Sequence, residues 1–197
     1  ALKNGGIMDV LYNYARTMEE TGHQGRRFAR LMALQSMQGK IRSFLCAGMV
    51  QDLDMINAHL VLFLDFVKTH LADAERKLLE AYVLDREAVL RDNSLKKRDV
   101  LVALNCDAMA TTARGSGDGA FYHKGNKWIK AFWAEKDKLC RALHAKLSTT
   151  QEWAFSVTNE NNVYSSWLNK VLCTLEDRCL DKAVNLYRES VRSLIFD

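Results

Sequence analysis

Apolar positions along this chain recur mostly at helical spacing. The strongest signal covers residues 164–189, where Leu168, Leu172, Leu175, Cys179, Ala183 and Leu186 follow one another at steps of three and four. Such a period lays one stripe along one face, so a long helix buried on that face is expected. Residues 7–20, 38–46 and 72–92 carry the same pattern, the last with Leu78, Leu79, Tyr82, Val83, Val89 and Leu90 as its apolar stripe. Asn57 is placed to cap a helix over 58–70, and Ser94 one that runs to Leu104. A further helix is expected from about 126 to 147, and Thr149 with Glu152 has capping-box spacing for a short one after it.

Two short segments depart from this period. Met49-Val50-Gln51-Asp52-Leu53-Asp54-Met55 partly alternates apolar and polar residues, which predicts a strand running into the helix at 58, with two acids at the junction. Residues 191–197, Val-Arg-Ser-Leu-Ile-Phe-Asp, lean the same way and end in a carboxylate. Gly22 to Gly25 reads as a break, and TTARGSGDG at 111–119 as a mobile loop.

Composition agrees with helices. Proline is absent and glycine is sparse, so helix breakers are rare. At 197 residues, with 48% apolar and 26% charged, the chain can bury a proper core as one domain or two fused lobes. The longest apolar run, 60–67, is interrupted by Asp65 and falls far short of a membrane span, and no secretory signal is visible. The chain begins at Ala1, which suggests a processed or excised piece of something larger. Five cysteines form no CxxC pair, and their odd count and spacing speak against both a disulfide framework and a zinc site. Cys173 and Cys179 fall in the apolar pattern and are expected in the core, and an intracellular, reducing compartment follows.

A net charge of +4 does not by itself imply a nucleic-acid partner. Its distribution is more telling. Residues 1–48 hold Lys3, Arg16, Arg26, Arg27, Arg30, Lys40 and Arg42 against Asp9, Glu19 and Glu20, a clustering that a phosphate backbone would need and that a solvated basic face also explains. Trp128, Phe132 and Trp133 are interleaved with Lys124, Lys127, Lys130, Lys136 and Lys138. They suit base stacking, or an amphipathic helix with aromatics inward and lysines outward. His23, His70, His123 and His144 have no metalloprotease spacing, and the GSGDG loop lacks the Lys of a phosphate-binding loop.

The acids carry the clearest chemistry. Asp52 and Asp54 share a face if their segment is a strand, and Asp197 ends the second β-leaning segment. Phosphoryl transfer through two divalent ions needs such carboxylates from separate strands. Acids at strand ends are also common without any metal.

An ordered set of segments resembles family A DNA polymerases, in particular their divergent viral and mobile-element branch. Gly25-Arg26-Arg27-Phe28-Ala29, Leu34-Gln35-Ser36 and Ile41-Arg42 are similar to the run before the first palm strand. Asp54-Met55-Ile56-Asn57-Ala58-His59 resembles motif A, Leu95-Lys96-Lys97-Arg98 through Leu104-Asn105 motif B, and Leu194-Ile195-Phe196-Asp197 motif C. Asn105-Cys106-Asp107 and Phe196 depart from the family pattern, and Glu176 falls near an acid of the divergent branch.

The resemblance implies an α+β fold, predominantly helical, with a small antiparallel palm sheet carrying Asp54 and Asp197 among long helices. Residues 1–24 would be a thumb remnant, 25–70 and 148–197 the halves of the palm, and 71–147 the fingers. It implies template-directed nucleotidyl transfer, as in a DNA-directed DNA polymerase. Asp54 and Asp197 would hold two Mg²⁺, with Asp52 as a further ligand. Lys97, Arg98 and His59 would meet the nucleoside triphosphate, His59 at the sugar. Arg27, Gln35 and Arg42 would grip the primer–template, and other domains of a parent chain or replication and assembly partners would complete the machine. Two other readings stand beside it: a catalytically inactive polymerase-fold scaffold that binds nucleic acid, and an all-helical protein-interaction module.

Overall fold

The computed structural model describes residues 55–109, 125–157 and 159–196, together with 12–14, 27–29, 38, 40, 41, 44, 120 and 121. Six helices dominate the described residues: α1 (Ala58–His70), α2 (Lys77–Leu84), α3 (Arg86–Asp92), α4 (Lys97–Leu104), α5 (Lys127–Leu147) and α6 (Val163–Phe196). Strands are minor. β1 (Tyr12–Tyr14) pairs antiparallel with β2 (Arg27–Ala29), and β3 (Ala108–Met109) pairs parallel with β4 (Ala120–Phe121).

The expected palm sheet is therefore overturned. Among the described residues no sheet exceeds two strands, and the fold is helical rather than α+β. Residues 191–196, expected as the strand carrying motif C, continue α6 without a break. The reason is local. From 163 to 196 the sequence offers no Gly or Pro to stop a helix, and the few β-branched residues near its end do not interrupt the helical run. The helix expected over 7–20 is also corrected, since Tyr12, Asn13 and Tyr14 pair with Ala29, Phe28 and Arg27.

One apolar core joins all six helices. Phe63 and Val67 of α1, Tyr82 of α2, Val100 of α4, Ile129 and Leu143 of α5, and Trp167 and Val171 of α6 are fully buried in it. Each large side chain of this kind contributes roughly 1.5–3 kcal/mol on leaving water. Aromatic contacts set the geometry: Phe66 meets Trp153 edge-on at 5.2 Å, and the Trp167 indole donates to the Trp153 carbonyl at 2.8 Å. On α5 the amphipathic reading holds for the aromatics. Phe132 is buried and Trp128 stacks on it at 5.2 Å, so these rings do not form an exposed stacking platform. Lys136 breaks the pattern, since it turns inward and is buried.

The ends of the helices differ from expectation in instructive ways. Leu95 N donates to Leu90 O at 2.8 Å and Ser94 N to Arg91 O at 3.1 Å, the paired bonds of a Schellman turn. Ser94, at φ 52°, thus closes α3 rather than capping α4, and Leu95 is buried beside Leu90. At α4 the Asp99 carboxylate instead accepts from Lys96 N at 2.8 Å. Residues 149–152 form turns, not a helix. The first turn of α2 has no local side-chain cap. Glu135 of α5 supplies it, accepting from Leu78 N at 3.0 Å and Leu79 N at 2.8 Å.

The stripe along α6 is buried only in its first half. Leu168 and Leu172 lie in the core, whereas Cys179, Ala183 and Leu186 are exposed. The expectation that Cys173 and Cys179 are core residues is corrected with it: Cys173 is half-buried and Cys179 exposed.

Candidate functional site

The N-terminal end of α1 opens on a cleft of about 300 Å³ between α1, α4 and α6. Asn57 enters α1 in the left-handed region at φ 55°, which Asn tolerates better than most residues. Its side chain does not cap the helix, contrary to the sequence reading. The amide oxygen instead accepts from Arg86 Nη1 at 2.9 Å, tying the start of α1 to α3. No acidic residue occupies the first turn either, so among the described residues no local side chain caps the positive end of α1 where it meets the cleft.

His59, Tyr82, Lys97, Asn105, Asn169 and Glu176 line this cleft. Lys97 stands at the first turn of α4 with an exposed side chain. Among the described residues three buried side-chain polar atoms lack a hydrogen bond, and two of them, His59 Nε2 and Tyr82 Oη, belong to this lining. Buried polar atoms are rarely left unmet, and a water, ligand or ion is one thing that satisfies such exceptions. Burial pushes the Tyr82 hydroxyl above its ordinary range.

His59 leans on α6. Its Nε2 lies 3.5 Å from Glu176 Oε2, a charge contact without hydrogen-bond geometry, with both side chains 16% exposed. One imidazole nitrogen, Cys173 Sγ and a Glu176 oxygen all lie within 4.8 Å of one another. The Cys173 sulfur first, and the Glu176 carboxylate second, push the His59 imidazole up to about 9 against the opposing effect of burial.

Of the residues singled out from sequence, His59 and Lys97 come together here. Arg98 is exposed beside Lys97 but does not line the cleft. Arg27 lies in β2, opposite Tyr14. Asp52, Asp54, Gln35, Arg42 and Asp197 lie outside the described residues, as does the loop at 111–119. Sequence reasoning passed over Asn169, placed Tyr82 in an apolar stripe, where it is indeed buried, and took Cys173 for core. The available signal was that Cys173 and Glu176, three apart on a helix, share a face with each other.

No family model matches the chain, and neither does any curated protein or solved structure. Among the described residues no helix is long and apolar enough to cross a membrane.

Proposed function

We propose that the cleft at the start of α1 binds a nucleoside triphosphate, and that the chain takes part in template-directed nucleotidyl transfer. The observation that carries this reading is convergence. His59 and Lys97 belong to two segments that resemble separate polymerase motifs, and they line one cleft. The chemistry suits the ligand. The uncapped end of α1 and the Lys97 ammonium favour polyphosphate, and Asn105, Asn169 and Tyr82 offer neutral hydrogen bonds for sugar or base. Asp54 precedes the lining residue Met55 in sequence and is the proposed ligand for Mg²⁺ carried with the triphosphate.

The test is calorimetric titration of the chain with deoxynucleoside triphosphates in Mg²⁺. Binding should weaken at least about tenfold in Lys97→Ala, since a charge-assisted phosphate contact is worth roughly 1.5–3 kcal/mol. Absence of binding at millimolar nucleotide would overturn the reading. The helical course of 191–196 favours a second reading, in which the chain binds nucleotide or nucleic acid without turnover. Primer extension separates the two: nucleotide binding with no Mg²⁺-dependent extension selects the second.

A further inference from the structure

We infer that His59, Cys173 and Glu176 form a binding site for a borderline-soft divalent cation of the zinc class, linking the first turn of α1 to the middle of α6. The inference is independent of the nucleotide reading, because Mg²⁺ takes oxygen ligands and would not select a thiolate and an imidazole.

Three observations carry it. The first is the donor set: one nitrogen, one sulfur and one carboxylate oxygen, the three ligand types that zinc accepts. The second is spacing. Ligands about 2.0–2.3 Å from a tetrahedral ion stand roughly 3.3–3.8 Å apart. The His59–Glu176 separation of 3.5 Å already falls there, and the limit of 4.8 Å for all three leaves only a side-chain adjustment. The third is the placement of His59 Nε2, a buried atom whose contact with Glu176 at 3.5 Å falls short of a well-formed hydrogen bond.

The framework is suitably rigid. Cys173 and Glu176 sit three apart on α6 and so project from one face of a well-packed helix. His59 is fixed by the start of α1, which Arg86 holds through Asn57. Three protein ligands leave a fourth tetrahedral position for water or for an oxygen of a bound molecule. Since His59 and Glu176 line the cleft, that position opens on it. Binding takes the thiolate and the neutral imidazole, so it releases protons.

Titration of the full chain with Co²⁺ reads the site directly, in a buffer without Mg²⁺ or nucleotide. A sulfur-to-cobalt charge-transfer band should appear together with visible absorption of tetrahedral intensity, and Zn²⁺ should displace both. Cys173→Ser should abolish the charge-transfer band, while Cys179→Ser, at an exposed cysteine of the same helix, should leave it unchanged. His59→Gln and Glu176→Gln should each weaken Co²⁺ binding at least about tenfold. Protection of wild-type Cys173 from alkylation by added Zn²⁺, located by peptide mapping, tests the same claim without any variant. Absence of both the band and the protection in wild type would overturn the site, and a band that survives Cys173→Ser would place the metal elsewhere.

Discussion

Helix α6 meets the rest of the molecule at two polar junctions that share a parts list and differ in how far it is satisfied. At its first turn, the Asp107 carboxylate accepts from Tyr164 N and Ser165 N, both at 2.6 Å. Lys136 Nζ donates to Cys106 O at 2.7 Å and Ser165 Oγ at 2.8 Å, and the Cys140 thiol to Tyr164 O at 3.1 Å. Further along α6, the acid is Glu176, the base His59 and the thiol Cys173, and the buried imidazole nitrogen is left without a hydrogen bond. An acid, a base and a cysteine thus build structure where their bonds close on one another. At the second junction the His59 nitrogen is not closed in this way, and it stands beside a cleft.

The largest expected effect tests the closed junction. Asp107 is the charged acceptor for the first turn of α6, and its own N–H donates to Asn162 Oδ1 at 2.8 Å, locking the turn that enters the helix. Asp107→Ala should cost about 2–3 kcal/mol, the sum of a lost cap and two backbone N–H groups left without their charged partner. Urea unfolding at neutral pH should show this as a lower midpoint at unchanged slope. A loss under about 0.5 kcal/mol would mean that water satisfies the turn as well as Asp107 does, and the contrast between the junctions would lose its basis.

A smaller effect sets the two thiols apart. Burial pushes the Cys140 thiol up to about 12, so it stays protonated in the native state where the unfolded chain ionises near 9.0. Above pH 9 the unfolded state therefore holds fewer protons than the native one, and stability falls as pH rises towards 12. At pH 10 the loss from this one group is about 1.4 kcal/mol relative to neutral pH. Lys136 acts in the opposite direction, because burial lowers it and the native state gives up its proton first. Comparison of wild type with Cys140→Ala at pH 7.5 and pH 10 isolates the thiol. The variant should be less stable at both, from its lost volume, but should lose about 1.4 kcal/mol less between them. Equal losses would show that Cys140 ionises freely, and the closed junction would be open to solvent after all.

What the sequence made legible follows the range of the interactions. The helices over 58–70 and 127–147 are written in local apolar spacing, and their limits could be read almost to the residue. Ser94 suits an N-cap and a left-handed C-terminal turn equally well, and the burial of Leu95 beside Leu90, a tertiary fact, selects the second. The apolar period of α6 announces a helix but not how deeply each turn is buried, and Leu186 is largely exposed. The reading of 191–196 as strand failed because residue preference was weighed without a partner strand. His59 and Lys97, singled out through the family resemblance, line one cleft. Cys173 escaped because its value as a ligand depends on His59, which is distant in sequence and brought near only by the packing of α1 on α6.

The smallest expected effect is the sharpest check on what closure is worth. Lys136 is almost wholly buried, yet its two hydrogen bonds go to neutral acceptors, and burial drives its ammonium below the usual lysine range. Desolvating a cation costs several kcal/mol, and hydrogen bonds to neutral groups recover only part of that. Lys136→Met keeps the length of the chain and removes the charge. The Cys106 carbonyl would keep its bond from the Trp133 indole at 3.0 Å, and the Ser165 hydroxyl would lose a donor but no acceptor. The variant should therefore lie within about 1 kcal/mol of wild type at neutral pH, on either side. If so, the Lys136 hydrogen bonds fix the register of α5 against α6 without adding much stability of their own. A loss above about 2 kcal/mol would instead make Lys136 a net stabilising group, with Asp107 near enough to offset its burial through charge.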